Sequence, residues 1–154
     1  MSSRKAQDIR NIALLGHGGA GKTTLAEAML HRAGATKRLG TIEDGSTVMD
    51  FTDIEKQRKH SVDPAMAFFD YGGKTVNLID APGYPDFIGG AIAAVSGADV
   101  AVIVISAQAG IEVNTRKMFE LAGREQLPRA IVINKIDAEN VDLPGVLGAI
   151  TETF

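Results

Sequence analysis

A glycine-rich stretch at residues 16–23 places the strongest constraint on how this chain folds, because it reads GHGGAGKT and matches the pattern G-x-x-x-x-G-K-[ST]. A short apolar run, Ile12–Leu15, precedes it, and apolar residues at helical spacing follow it, namely Leu25, Ala28 and Met29. In this strand–loop–helix order, glycines let backbone N–H groups surround a phosphate, the lysine neutralises phosphate oxygens and the threonine hydroxyl binds Mg²⁺. The sequence therefore predicts a phosphate-binding loop. The expected nucleotide-contacting residues of this loop are His17, Gly18, Gly19, Ala20, Gly21, Lys22, Thr23 and Thr24.

Composition narrows the class of protein. The chain has 154 residues, enough for one domain with a buried core, and 45% of them are hydrophobic, which is usual for a globular protein. Its net charge of −3 provides no basic field for nucleic acid, so we expect no direct DNA binding. It contains no cysteine, which excludes disulfides and thiolate metal sites and suits a reducing compartment.

The sequence also argues against a membrane partner. No apolar run follows the charged N-terminal residues, so we expect no signal peptide. The longest aliphatic run, Val100–Ile105, is too short to cross a bilayer. We therefore expect a cytoplasmic monomer.

Apolar runs predict a mostly parallel sheet, since nearly continuous runs are typical of strands buried on both faces. The predicted strands of this kind are Ile12–Leu15, Val76–Ile79, Val100–Ile105 and Ala130–Ile133. One pair differs, because Met66–Tyr71 and Lys74–Ile79 flank the hairpin turn signal Gly72-Gly73. These two strands should therefore pair antiparallel.

Helical spacing of apolar residues between the strands predicts helices and hence an open α/β sheet. The apolar positions concerned are Ile88, Ala91, Ile92 and Val95, and then Met118, Leu121 and Ala122. A last helical pattern runs from Leu143 to Phe154 with Pro144 in its first turn, whereas residues 35–62 are polar and typical of a functional loop. We predict the α/β P-loop NTPase fold, with a mostly parallel sheet, one antiparallel edge strand pair and helices on both faces.

A second motif, Asp80-Ala81-Pro82-Gly83, follows a predicted strand about 60 residues after the phosphate loop. A carboxylate at that strand end can reach Mg²⁺ through a water, and the amide of a glycine can approach a γ-phosphate closely. Alone, the motif would be an ordinary turn. Its place at the carboxyl end of a strand, where open α/β sheets bind ligands, makes Asp80 a candidate metal ligand and Gly83 a candidate catalytic residue.

A third motif, Asn134-Lys135-Ile136-Asp137, follows the last predicted strand. The Asp137 carboxylate can accept two hydrogen bonds from the edge of guanine, and adenine offers no such pair of donors. Taken singly, the motif would be an ordinary helix cap. In order after the other two, it makes Asn134, Lys135 and Asp137 candidate nucleotide-binding residues.

The ordered motifs GHGGAGKTT, DAPGYPDF and NKID resemble the G domain of translational GTPases, most closely elongation factor G and its paralogues. The resemblance covers the chain from about Ile9 to Ile150. It implies binding of GTP and GDP with Mg²⁺, GTP hydrolysis with Lys22 at the phosphates, and the ribosome as partner of the full-length protein. Residues 55–62 resemble the family's switch I motif, which makes Ser61 a Mg²⁺ ligand beside Thr23.

Several positions depart from the family pattern. Tyr84 stands where the family usually has a histidine that orients the attacking water, and Gly18 and His60 stand where apolar gate residues are usual. Gly19 and Lys59 stand where the family commonly has aspartate and glycine. Tyrosine donates or accepts a hydrogen bond with a reach that differs from that of imidazole. Tyr84 is thus the candidate catalytic residue of an apparatus that is either rebuilt or weakened.

The family also closes its guanine pocket with an S-A-x loop beyond N-K-x-D, and none follows Asp137 here. We therefore expect residues 1–154 to be a G domain truncated before its last strand and guanine-closing loop. Two alternatives stay open: a GTP-binding switch with negligible hydrolysis, and an ATP-using P-loop enzyme, against which Asp137 argues. Release factor 3-like and ribosome-protection GTPases share the same motifs.

Overall fold

The computed structural model describes residues 5–154, which contain five strands and five α-helices. In chain order these are β1 (Ile9–Leu15), α1 (Lys22–Arg32), α2 (Asp53–Arg58), β2 (Ala65–Tyr71), β3 (Lys74–Asp80), α3 (Ile88–Ser96), β4 (Val100–Ser106), α4 (Val113–Arg124), β5 (Arg129–Asn134) and α5 (Leu143–Thr153). Short 3-10 helices cover Ala6–Asp8 and Pro85–Phe87. No helix within the described range is both long and apolar enough to cross a membrane.

The five strands form one sheet in the order β2-β3-β1-β4-β5. Strand β1 pairs in parallel with β3 and β4, and β4 pairs in parallel with β5, whereas β2 is antiparallel to β3. At the turn between β2 and β3, Gly72 and Gly73 have φ angles of 55° and 75°, the left-handed values that a tight hairpin requires. The predicted mostly parallel sheet and its antiparallel edge pair are confirmed.

Alternating residues of β1 supply both hydrophobic cores. Leu14 packs on one face with Leu30 of α1 and Leu78 of β3. Leu15 packs on the other face in the cluster that includes Met118 of α4. Since α1 covers one face of the sheet and α3 and α4 cover the other, helices on both faces are also confirmed.

The buried side of α1 is not the side that carries the apolar residues Leu25, Ala28 and Met29. Ala26 and Leu30 are fully buried, whereas Leu25 and Met29 are only half-buried and Ala28 is exposed. The phosphate loop explains the difference: it turns Lys22 inward, and residues four and eight positions later follow on the same side of the helix.

Helix α3 also buries a different face. Ala91, Ala94 and Val95 are buried, whereas Ile88 and Ile92 are 36% and 48% exposed. The side that packs on the sheet thus carries alanines, and the larger isoleucines face outward. The helix predicted from the spacing of Ile88, Ala91, Ile92 and Val95 is therefore present, but only Ala91 and Val95 of these four are buried.

The polar segment at residues 35–62 contains a helix, α2, that its composition did not predict. Helix α2 begins at a capping box in which the Thr52 side chain and the Glu55 backbone amide are 3.3 Å apart and the Glu55 carboxylate accepts from the Thr52 amide at 3.1 Å. The signal for this helix is the T-x-x-E spacing, which satisfies two free N–H groups at a helix start. The short length of α2 leaves no hydrophobic periodicity to detect.

Candidate functional site

The three sequence motifs meet at one edge of the sheet. The phosphate loop leaves the carboxyl end of β1, the DAPG turn leaves that of β3 and the NKID turn leaves that of β5. The Ala81 amide donates to the Leu14 carbonyl at 3.2 Å, and the Asn134 side chain donates to the Ala20 carbonyl at 3.0 Å. The parallel pairing of the strands therefore brings distant motifs into contact.

A cavity of about 310 Å³ lies at this edge. Its lining includes predicted site residues from all three motifs and from the polar segment: Gly18, Gly19, Gly21, Lys22, Thr23, Thr24, Ser61, Gly83, Tyr84 and Lys135. The remaining predicted residues lie outside the lining: His17, Ala20, Asp80, Asn134 and Asp137.

The predicted site residues outside the cavity lining lie in different environments. Asp80 is buried behind Thr23, and Asn134 braces the phosphate loop. The His17 ring points towards the start of α4, with its Nε2 3.3 Å from a Glu112 carboxylate oxygen. Asp137 is exposed in the turn after β5. The structure thus gathers the predicted phosphate and metal residues more closely than the predicted base-reading residue.

The phosphate loop curls around the Lys22 side chain. Lys22 is 6% exposed, and its Nζ donates to the carbonyl oxygens of Gly16 at 3.3 Å and His17 at 2.9 Å. Burial lowers the pKa of Lys22, and the negative charges of Asp80 and Asp50 oppose that effect. The Lys22 amine therefore lies at the loop, and an anion bound there would stabilise its charged form.

Thr23 connects two segments at the metal candidate site. Its Oγ donates to Oδ2 of Asp80 at 2.6 Å and lies 3.2 Å from the Ser61 Oγ. Asp80 is 1% exposed, and its Oδ1 has no hydrogen-bond partner. Burial raises the pKa of Asp80 to about 7, against the opposing effects of Lys22 and of the Thr23 hydrogen bond.

Asp50 is a residue at this site that sequence reasoning missed. It is 3% exposed, it lines the cavity, and neither of its carboxylate oxygens has a hydrogen-bond partner. Burial raises its pKa, and the nearby Ser61 hydroxyl opposes the shift without reaching hydrogen-bonding geometry with either oxygen. One aspartate within a polar loop carries no sequence signal of its own, so only the folded loop reveals it.

These groups fit a hard divalent cation. Two hydroxyls, those of Thr23 and Ser61, lie beside the buried carboxylates of Asp80 and Asp50. Asp80 Oδ1 and both Asp50 oxygens have no hydrogen-bond partner. Oxygen ligands of this kind suit Mg²⁺, which binds few protein groups and keeps several waters. Within residues 5–154, the structure shows no group of three or more histidine, aspartate and glutamate side chains that could hold a metal ion.

One buried glutamate ties the polar segment to the rest of the domain, and a second braces the segment internally. Glu27 of α1 is 1% exposed and accepts from the amides of Val48 at 2.6 Å and Met49 at 3.2 Å. Within the segment, Glu55 of α2 accepts from the Val62 amide at 3.1 Å. Burial alone would raise the pKa of Glu55, but hydrogen bonds from Thr52, Val62 and the next amide outweigh it and lower the pKa. Glu27 therefore holds the segment on α1, and Glu55 holds the segment's own turn.

Gly83 is packed against the phosphate loop with no room for a side chain. A Cβ at this position would overlap the Lys22 Nζ and would lie 2.7 Å from the Gly18 amide nitrogen. On its other side, the Gly83 carbonyl accepts a 2.7 Å hydrogen bond from the buried Asn114 side chain. The backbone of the DAPG turn therefore touches both the lysine and the loop.

The raised pKa of Asp80 predicts a pH dependence of stability. Because the folded pKa lies above the usual 3.8, the contribution of Asp80 is fully present below about pH 4 and is lost as the pH rises through about 7. The free energy of unfolding of wild type minus that of Asp80→Asn should fall by about 1 kcal/mol per pH unit in this window. Urea titrations of nucleotide-free protein measure it, and a difference that stays constant with pH would contradict the prediction.

A comparison with protein families decides the class of this domain. The model of the elongation factor Tu GTP binding domain matches residues 7–154. The chain belongs to that family. This GTP-binding domain is therefore of the translational GTPase type, a class of proteins that bind guanine nucleotides and hydrolyse GTP. The resemblance inferred from the three motifs is confirmed.

Individual relatives agree with this assignment. An elongation factor G-like protein of Mycobacterium tuberculosis (strain ATCC 25618 / H37Rv) is 39% identical over 95% of this chain and 20% of its own length. The tetracycline resistance protein TetO of Campylobacter jejuni is 39% identical over 90% of this chain and 22% of its own length. The chain thus spans about a fifth of the length of these relatives.

Solved structures give the same fold. A crystal structure of a protein from Thermus thermophilus matches 94% of this chain and 22% of its own with a TM-score of 0.91 and 41% identity. The structure of a bacterial selenocysteine-specific elongation factor matches 92% of this chain and 22% of its own, with a TM-score of 0.70 and 26% identity. The P-loop GTPase fold is therefore shared beyond the elongation factor G-like proteins.

Proposed function

We propose that this chain is the Mg²⁺-dependent GTP-binding domain of an elongation factor G-like GTPase that works on the ribosome in the cytoplasm. The observation that carries the proposal is the convergence of three motifs and the polar segment on one cavity. That cavity combines a buried lysine, Lys22, with a glycine backbone, Gly83, and with the hydroxyls of Thr23 and Ser61.

The cavity and the residues beside it provide groups for each part of a guanine nucleotide. The amides of the phosphate loop and Lys22 bind the β- and γ-phosphates. Asn134 holds the loop, and Lys135 flanks the nucleotide from the other side of the cavity. Asp137 accepts hydrogen bonds from the guanine edge, for which its exposed position leaves it accessible.

A bound Mg²⁺ would be held by the Thr23 and Ser61 hydroxyls, with Asp80 and Asp50 as carboxylate partners. The ion supplies charge neutralisation to the phosphates of GTP. The chain's own contribution is to place the hydroxyls of two separate segments within 3.2 Å of each other. Loss of the γ-phosphate removes a reason for residues 35–62 to stay closed, which couples hydrolysis to a conformational change.

The ribosome is the proposed partner of the intact protein. We propose that residues 1–154 belong to its G domain, that other parts of the protein contact the ribosome, and that the protein acts as a monomer. A GTP-binding switch with negligible hydrolysis is a second candidate, and the presence of Tyr84 in place of histidine favours it. A release factor 3-like or ribosome-protection role uses the same site chemistry.

Base recognition by Asp137 provides the first test. In competition binding with Mg²⁺, wild-type protein should prefer GTP to ATP, because adenine cannot pair its edge with the carboxylate. Asp137→Asn should weaken GTP by about tenfold or more and favour xanthosine triphosphate, whose extra carbonyl accepts from the new amide, since one charge-assisted hydrogen bond contributes about 1.5–3 kcal/mol. Equal binding of ATP and GTP by the wild type would disprove the guanine assignment.

A further inference from the structure

The Tyr84 ring packs on two other residues, Gly18 and His60, and we call this position the seat of Tyr84. Gly18 of the phosphate loop has no side chain, and a Cβ there would lie 2.8 Å from both Cε2 and Cζ of Tyr84. The His60 ring also packs on Tyr84, with its centroid 4.7 Å from that of Tyr84 and the two planes at 55°. These are the same three positions at which the chain departs from the elongation factor G pattern. The departures therefore fit one another as a packed set.

Hydrogen bonds hold both the backbone before Tyr84 and the ring of His60. The buried Asn114 side chain donates to the Gly83 carbonyl at 2.7 Å and so holds the peptide group that leads into Tyr84. The Nδ1 of His60 donates to the Arg58 carbonyl at 3.0 Å, which fixes the orientation of the imidazole. With the backbone and the imidazole both held, Gly18 and His60 restrict where the tyrosine ring can lie.

This position brings the hydroxyl-bearing end of the ring to the phosphate loop. The Cζ of Tyr84 is one of the atoms nearest to Gly18, and the ring lines the same cavity as Lys22. Tyr84 is 40% exposed and lines this cavity, so water can reach the side chain there. A phenolic hydroxyl both donates and accepts hydrogen bonds, which is sufficient to orient a water molecule.

We propose that His60 is a positioning residue for GTP hydrolysis that holds the Tyr84 ring on Gly18, so that the hydroxyl orients the attacking water. In this step the water oxygen bonds to the γ-phosphorus as the bond to the β–γ bridging oxygen breaks. The water proton leaves with the phosphate product, and Tyr84 neither gains nor loses a proton overall. The inference rests on the proposed GTPase function.

A double-mutant cycle in the intact protein tests the seat. Gly18 has no left-handed φ, so Gly18→Ala acts through its new Cβ and should slow single-turnover GTP hydrolysis by about 10- to 100-fold as the ring is displaced. In a Tyr84→Ala background the same change should have little further effect. Gly89→Ala is the matched control, because a Cβ at Gly89 meets nothing within 4 Å.

Substitutions of His60 test its positioning role. His60→Ala should lower the hydrolysis rate by about tenfold, whereas His60→Phe, which keeps a ring against Tyr84, should recover most of that loss. Affinity for GDP should change by less than about threefold in both variants. A merely structural role would instead weaken GDP binding and hydrolysis together.

The possible outcomes separate this inference from the proposed function. Additive effects of Gly18→Ala and Tyr84→Ala, or equal losses for His60→Ala and His60→Phe, would overturn the positioning role and leave GTP binding intact. Tight GTP binding without measurable wild-type hydrolysis would also overturn it and would favour the non-hydrolysing switch. Failure of the wild type to prefer GTP over ATP would instead overturn the proposed function. If Gly18→Ala does not fold, the comparison of the two His60 variants decides.

Discussion

Gly83→Ala is expected to lower GTP hydrolysis by at least about 100-fold, because a shift of about 1 Å at a reacting centre is sufficient for a loss of that size. The new Cβ would overlap the Lys22 Nζ and crowd the Gly18 amide, so either the lysine or the loop must move. Both groups lie where the γ-phosphate is proposed to bind. Affinity for a non-hydrolysable GTP analogue should therefore fall more than affinity for GDP.

The measurement compares Gly83→Ala with Gly89→Ala in the same protein. Both substitutions add one methyl group near the DAPG turn, but Gly89 lies in α3 with open space around its Cα. Gly89→Ala should leave hydrolysis and nucleotide affinity unchanged. Equal losses of GTP analogue and GDP affinity in Gly83→Ala would mean that the turn does not sense the γ-phosphate.

Hydrolysis by the unmodified intact protein is expected to be slow, even with ribosomes. Tyr84 replaces the histidine that the family uses to orient water, and a group in that role contributes about 10²–10⁴-fold. Because the reach of the tyrosine hydroxyl differs from that of imidazole, we expect it to supply only part of this contribution, so single-turnover hydrolysis should be slower than that of histidine-bearing members. Turnover as fast as theirs would show that tyrosine or another group fully performs the task.

Reversion of Tyr84 alone should not repair the reaction. In Tyr84→His, the smaller ring would leave the space above Gly18 unfilled, and the histidine would lack apolar neighbours to hold it. The triple variant Tyr84→His, Gly18→Val, His60→Ile should hydrolyse GTP faster than Tyr84→His alone, because valine and isoleucine supply those apolar neighbours. A full gain of rate in Tyr84→His by itself would contradict this prediction.

The motifs and the sheet could be predicted from the sequence because each depends on local residue order. Nearly continuous apolar runs indicated the strands, and Gly72-Gly73 indicated the one antiparallel pair. Once the strands are parallel, the residues that follow them must meet at one edge, so Lys22, Gly83 and Lys135 share a cavity. The topology of the sheet therefore assembles most of the candidate site.

The remaining features depend on contacts between distant residues. The buried face of α1 is set by the inward turn of Lys22, which no periodicity reveals. Asp50 enters the site only because the polar segment folds back over the phosphate loop. The fit of Tyr84 between Gly18 and His60 required coordinates as well, since the sequence indicated only that three family positions had changed together.

The buried Glu27 carboxylate bears on the entropy of nucleotide binding. Ordering a free loop costs about 1–2 kcal/mol per residue, which a ligand would otherwise have to supply. Glu27 of α1 holds the Val48 and Met49 amides of the polar segment, and Glu55 holds the Val62 amide within that segment. Folding of the domain therefore restricts part of residues 48–62. A bound GTP then has fewer of these residues to immobilise, which leaves more of its contact energy available for affinity.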